Sequence, residues 1–287
     1  MLAAVFIFAI MDALMKRLSS AYPPLQIACL RSLSSLAVLA AAILASRSWR
    51  SLRAAAPGFH VLRAVLGIAM LGSFVFAVHR LTLAQTYSLF LAAPLLMTAL
   101  SVPLLGERVT LRRWAAIICG IGGVLIILQP WGNGAFSPIA AGAAAIATIC
   151  YSLNAIATRS LGRRNSSLAM VFWYLAMVGV GSGLLASDDW HRIASQDWPW
   201  LAAIGVAGGL GQLWLTEAFR YAPPSVVGPF EYTAILWAFG IDWLFWSASP
   251  SFNLLLGAAI VIASGTVVFI DERRLAGLAA YSAFIPP

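Results

Sequence analysis

Charge is what this chain has least of. Only 10% of its 287 residues are Asp, Glu, Lys or Arg, against about 25% in a soluble domain. A fold this poor in charge and 61% hydrophobic has too little polar surface to face water on all sides, and a lipid bilayer is its expected solvent. Cysteine is scarce as well. Cys29, Cys119 and Cys150 all fall inside apolar runs, an odd number without metal-type spacing, which excludes a disulfide or zinc framework. The chain has no HExxH, no GxSxG, no P-loop and no dinucleotide fingerprint, so the familiar hydrolase, nucleotide and dehydrogenase chemistries are excluded and no cofactor or metal is implied. Long polar stretches are missing too, leaving no room for a soluble domain.

The formal charge of +8 raises nucleic acid as a partner, but the placement of the basic residues argues against it. Seventeen of the eighteen are Arg, and most sit in short turns between apolar runs. A nucleic-acid footprint gathers such charge on one solvated face; membrane spans are oriented by charge in their turns.

A membrane span needs about 20 apolar residues. Ten segments qualify: 2–20, 24–45, 58–80, 83–105, 111–128, 138–161, 168–187, 198–220, 225–247 and 252–270. The first has neither a charged leader nor a cleavage site and reads as a retained span rather than a signal peptide. With the N-terminus cytoplasmic, the inner turns hold thirteen basic residues (47, 50, 53, 63, 108, 112, 113, 159, 163, 164, 220, 273 and 274) and the outer ones five (16, 17, 31, 80 and 192). Both termini are therefore expected in the cytoplasm. The outer loop bearing Asp188, Asp189, His191 and Asp197 reads as a solvated surface.

One stretch occurs twice. AVHRLTLAQTYSLFLAAPLLMTALSVPLLGE (77–107) returns from Glu217 as EAFRYAPPSVVGPFEYTAILWAFGIDWLFWSAS, with Arg80 matching Arg220 and Phe90 matching Phe230. Five spans per half is an odd number, so the second half enters the membrane the opposite way up. The expected architecture is all-α and integral to the membrane: ten transmembrane helices as two inverted-topology five-helix repeats. The first repeat covers 1–130 and the second 131–274, followed by a tail, 275–287, that is too short to span and is expected to fray or lie at the membrane surface.

At GERVT (106–110), after a helix carrying Pro94, and again at RYAPPSVVGPFEYTAILWA (220–238) and GAAIVIASG (257–265), the chain resembles the drug/metabolite transporter superfamily in its ten-helix EamA-type form. That resemblance implies a multi-pass carrier of small organic metabolites in the bacterial inner membrane, usually an exporter, with no ATPase and no bound cofactor. It also implies a cavity lined by spans one to four and six to nine, the fifth and tenth being peripheral. Aromatic amino-acid exporters of the YddG type are one branch it is similar to. One departure stands out: the turn matching Glu107, 246–249 with Ala248, holds no acid, which argues against symmetric carboxylates at both ends.

Charges at mid-span usually face a cavity or a partner. Asp12 lies deep in the first span, where it has Lys16 one turn away or a pathway role. Glu231 follows Gly228-Pro229 with no basic residue within a turn, and is read as a binder of a substrate amine or of a proton. Arg31 is placed to meet a substrate carboxylate or to pair with Asp12. Asp242 is expected to reach water near the outer boundary, and Glu217 to pair with Arg220 or Arg63 at the inner one. Trp214, Trp237 and Tyr87 are candidates to stack on a planar or cationic substrate. His79, Gln85, Tyr151, Asn154 and Gln212 could orient it by hydrogen bonds. Pro94, Pro229 and Gly228 are expected to kink their helices and free carbonyls toward the cavity. The GxxxG spacings Gly179–Gly183 and Gly205–Gly209 suit dense packing in a monomer as well as a weak homodimer.

The lead reading is a secondary transporter, moving aromatic or other amino acids and related amphipathic compounds by alternating access. A channel-like facilitator, a drug or other-metabolite carrier and a membrane-embedded enzyme are the competing classes.

Overall fold

A computed structural model describes residues 1–47, 52, 56–105, 110–128, 137–162, 165–221 and 227–282. Residues 106–109 of the GERVT turn, with Glu107 and Arg108, lie outside them, as do Arg50, Arg53, Arg163, Arg164 and the last residues of the tail. Among the described residues the chain is helical and contains no strand. The helices are α1 (Leu2–Leu18), α2 (Pro24–Ser46), α3 (Pro57–Arg80), α4 (Leu83–Phe90), α5 (Ala93–Leu105), α6 (Leu111–Leu128), α7 (Pro138–Gly162), α8 (Ser167–Leu185), α9 (Trp198–Tyr221), α10 (Ala234–Trp246) and α11 (Phe252–Ser282). Among the described residues six segments are long and apolar enough to cross a membrane: Pro24–Ser46, Pro57–Arg80, Leu83–Leu100, Pro138–Thr158, Ser167–Leu185 and Phe252–Asp271.

Local chemistry sets the boundaries. Proline opens α2 and α3 at their first turn, where a missing N–H costs nothing. Thr82 and Gln85 form a reciprocal capping box at the start of α4, each backbone N–H reaching the other side chain at 3.0 Å. Gln85 is thereby committed to a helix end, not to a substrate. The fourth predicted span is interrupted. Pro94 has no N–H to give the Phe90 carbonyl, and a two-residue turn at Leu91–Ala92 separates α4 from α5. The ninth is also broken, its first part, Gly228–Thr233, winding as a 3-10 helix before α10 begins. Gly228 and Pro229 are its first two residues. Of the tail, residues 275–282 continue α11 as helix through Ser282.

Helices from the two ends of the chain interleave. α1 packs on α9, α2 on α8 and α9, α3 on α7, and α6 on α11. The glycine spacings explain how closely α8 and α9 approach α2. A Cβ on Gly205 would stand 2.9 Å from the backbone carbon of Ser34, and one on Gly209 would stand 3.3 Å from the Ser35 carbonyl oxygen. Gly179 and Gly183 abut Leu33 and Cys29, so all four glycines serve contacts with α2 of the same chain.

Candidate functional site

A cavity of about 160 Å³ opens between α1, α2, α3, α4, α7, α8, α9 and the 228–233 segment. That is roughly ten times the 10–15 Å³ that one water needs, space on the scale of a small molecule. Helices α6 and α11 contribute nothing to its described lining.

The walls are mostly apolar, as a small-molecule site requires. On α1 the lining runs through Met1, Val5, Phe8, Met11 and Asp12; on α9 through Gln212, Leu215, Thr216 and Phe219; on α7 through Tyr151, Asn154, Ala155 and Thr158. Met1 packs in one apolar cluster with Tyr151, Leu215 and Phe219. The cavity thus extends from mid-depth toward the Met1 end of the bundle.

Two tyrosine–carboxylate pairs stand in this lining. The Tyr87 hydroxyl of α4 donates to Asp12 Oδ2 of α1 at 2.5 Å, and the Tyr151 hydroxyl of α7 donates to Glu231 Oε1 at 2.8 Å. Phe74 and Phe90 bridge them, with ring centroids 6.4 Å (Tyr87–Phe74), 5.4 Å (Phe74–Phe90) and 5.9 Å (Phe90–Tyr151) apart. Arg31 is only 3% exposed. Its Nε donates to Met11 Sδ at 3.2 Å and its guanidinium lies 5.9 Å from the Phe8 ring centre, while Nη1 has no hydrogen-bond partner among the described residues. Asn154 is held by Arg63, whose Nε donates to Asn154 Oδ1 at 3.1 Å while Asn154 Nδ2 donates back to the Arg63 carbonyl at 3.2 Å.

Polar contacts tie the helices together at the other end of the bundle. Lys16 Nζ and Asp242 Oδ1 are 3.3 Å apart, and Asp242 also accepts the backbone N–H of Leu83 at 3.3 Å and of Ala84 at 2.7 Å. Arg17 lies over the Trp200 ring. In the adjoining loops the Tyr22 hydroxyl donates to Asp197 at 2.6 Å, a bond that holds this phenol above its ordinary pKa. Gln26 exchanges two hydrogen bonds with the backbone of His191, at 2.6 and 2.9 Å.

The structure brings together Asp12, Arg31, Tyr87, Tyr151, Asn154, Gln212 and Glu231 from the sequence candidates. It separates three others from them. Trp214 and Trp237 point outward, 41% and 42% exposed, with Trp237 against the Phe6 ring; His79 is exposed at the end of α3. None of the three lines the cavity. The aromatic surface is supplied instead by Phe8, Phe74, Tyr87, Phe90, Tyr151, Tyr174 and Phe219.

Two other expectations change, and Glu217 keeps one of its two expected partners, Arg220. Lys16 bonds Asp242 and leaves Asp12 to Tyr87. Asp242 is 2% exposed and does not reach water. Arg63, expected at the inner boundary, is 1% exposed and lies 5.2 Å from the Tyr174 ring centre, while Glu217 meets Arg220 at 4.0 Å. Arg63 and Tyr174 were missed as site components, although a charge seven positions into an apolar helix carries the same signal that singled out Asp12.

The EamA-like transporter family matches residues 1–129 and again 138–270. A pseudopaline exporter of Pseudomonas aeruginosa is 27% identical over 260 residues, 90% of each chain. A riboflavin transporter of Vibrio cholerae is 31% identical over 229 residues, 78% of this chain and 74% of that one. An S-adenosylmethionine uptake transporter of Rickettsia felis is 22% identical over 224 residues, 78% of this chain and 76% of its own length. Among solved structures, one superposes with a TM-score of 0.67 at 21% identity, covering 95% of this chain and 98% of that one, a likeness of fold.

Proposed function

The chain belongs to the EamA-like transporter family, and on that premise we propose that it is a secondary transporter exporting small organic metabolites that carry an amino-acid head group. The observation that carries the reading is the cavity itself, where the tyrosine-held Asp12 and Glu231 share an apolar chamber with a buried Arg31 nitrogen that has no hydrogen-bond partner among the described residues. Glu231 takes the substrate amine and Arg31 its carboxylate, a charge-assisted contact suited to the guanidinium fork. Phe74, Phe90 and Tyr151 face its apolar or aromatic part. This makes aromatic and other amino acids, and related amphipathic compounds, the lead substrates.

The architecture we assign is ten spans in two inverted repeats, 1–130 and 131–274. Helices α4 and α5 together make the fourth span, and the 228–233 segment with α10 the ninth. Two carboxylate–tyrosine pairs, one in each proposed repeat, support that assignment. The excess of arginine in alternate turns supports cytoplasmic termini in a bacterial inner membrane, so the chamber extends toward the cytoplasm. Rocking of one bundle against the other around the chamber would then expose it to the far side. Export is supported by the pseudopaline exporter at 27% identity across 90% of both chains.

Counterflow in proteoliposomes loaded with unlabelled phenylalanine tests the reading. Labelled phenylalanine should accumulate in a saturable way, and Arg31→Gln and Glu231→Gln should each abolish the accumulation. Vesicles no faster than protein-free ones would remove amino acids as substrates, and flux that never saturates would point to a pore.

A further inference from the structure

Three acidic or basic side chains reach the described cavity lining: Asp12, Glu231 and Arg31. An amine and a carboxylate together satisfy only Glu231 and Arg31. The Met1 terminus is at the mouth, eleven residues along α1 from Asp12, about 16 Å at the rise of a helix, and does not compensate it. Around Asp12 stand Tyr87 from α4, Arg31 from α2 and Lys16 on α1 itself, with Tyr151, Tyr174 and Glu231 elsewhere in the chamber. Lys16 is engaged by Asp242 of α10.

The two carboxylates are held in the same way. Among the described residues each accepts one side-chain hydrogen bond, from a tyrosine, and none of them donates to its second oxygen. The roles are exchanged between the two places: the carboxylate is on α1 and the tyrosine on α4 in one, the tyrosine on α7 and the carboxylate on the 228–233 segment in the other. A neutral phenol is a weak partner for a carboxylate compared with a cation in a low-dielectric chamber. Both positions therefore have the character of a cation seat with a hydroxyl resting in it.

We propose that the chamber selects substrates with two separated cationic centres and one carboxylate, the second cation seated at Asp12 in place of the Tyr87 hydroxyl. This rests on the substrate reading above and narrows it: a simple zwitterion leaves one buried acid uncompensated, whereas this class neutralises all three side chains. Arg31 Nη1, buried and unpartnered, supplies the anion seat, and the Phe74–Phe90 pair spans the distance between the cation seats.

The test is isothermal titration of the full chain in detergent with three probes. L-Phenylalanine carries one cation and one carboxylate; 4-aminomethyl-L-phenylalanine carries two cations and one carboxylate; phenylalanine amide carries one cation and no carboxylate. The dicationic amino acid should bind about tenfold tighter than phenylalanine, the scale of one charge-assisted hydrogen bond, and tighter than the amide. Asp12→Asn should bring the first ratio to about one, whereas Tyr87→Phe, which removes only the competing hydroxyl, should raise it. Equal binding of the two amino acids by the unaltered protein, or a preference that survives Asp12→Asn, overturns the inference. So does phenylalanine binding with uptake of a proton that Asp12→Asn abolishes, because the second charge would then be a proton. If phenylalanine binds and the dication binds no better, only this inference falls. If none of the three probes binds, the amino-acid reading falls with it.

Discussion

Asp242 caps a helix that lies 158 residues before it in the chain, accepting the backbone N–H of Ala84 at 2.7 Å. The first N–H groups of a helix have no partner within it, and a carboxylate beside them gains from the helix dipole as well. Lys16 completes the arrangement from α1 and presents its ammonium to the Trp246 ring at 4.7 Å. Asp242→Asn keeps the shape but removes the charge, setting an amide N–H₂ against donors. We expect a loss of about 1–3 kcal/mol, read as a lower melting midpoint of the detergent-solubilised protein. An unchanged midpoint would mean that the cap contributes nothing.

The Arg63–Asn154 exchange makes a second stability prediction. Asn154→Ala leaves the Arg63 Nε, in a residue 1% exposed, without its acceptor. An unsatisfied buried donor costs about 1–3 kcal/mol, so thermal melting should fall well below that of the parent. A wild-type melt would show that a water replaces the amide.

Gly205 and Gly142 provide a matched comparison. Both lie inside helices, yet a Cβ on Gly205 meets the Ser34 backbone carbon at 2.9 Å while one on Gly142 meets nothing within 4 Å. Gly205→Ala should destabilise by about 1–3 kcal/mol through overpacking. Gly142→Ala should be neutral or stabilising by up to about 1 kcal/mol, because alanine loses less backbone freedom than glycine in a helix. Melting curves in the opposite order would refute the close approach of α2 and α9.

Tyr151→Phe separates binding from stability. Side-chain hydrogen bonds between membrane helices average only about 0.6 kcal/mol, so the melting midpoint should scarcely move. Removing the hydroxyl leaves Glu231 free of its competitor, and phenylalanine affinity should rise. A fall in affinity with stability unaltered would show that the phenol itself contacts the substrate.

Hydropathy made most of the long helices legible. It did so because a span has to be apolar whatever it packs against. For the same reason it could not say which face of a helix points inward: lipid and protein interior are equally apolar, and a tryptophan at either looks alike in sequence. Trp214 and Trp237 were therefore assigned to the cavity but lie on the outside. Depth of charge was the better guide, finding Asp12, Arg31 and Glu231, and it would have found Arg63 if applied evenly. Asp242 escaped because its partners are mainly backbone N–H groups, which carry no residue signature. The pairing of Tyr87 with Asp12 joins residues 75 apart, beyond the reach of any local pattern.

The interrupted helices have a mechanical consequence. Where Gly205 and Gly209 let α9 lie against the α2 backbone, there is little slack for either helix to slide, and the two behave as a strut. The turn at Leu91–Ala92 and the 3-10 stretch ahead of α10 are joints by comparison. Tyr87 and Glu231 stand beside these joints, so under the proposed mechanism a ligand that displaces a phenol would pull directly on the levers of the bundle.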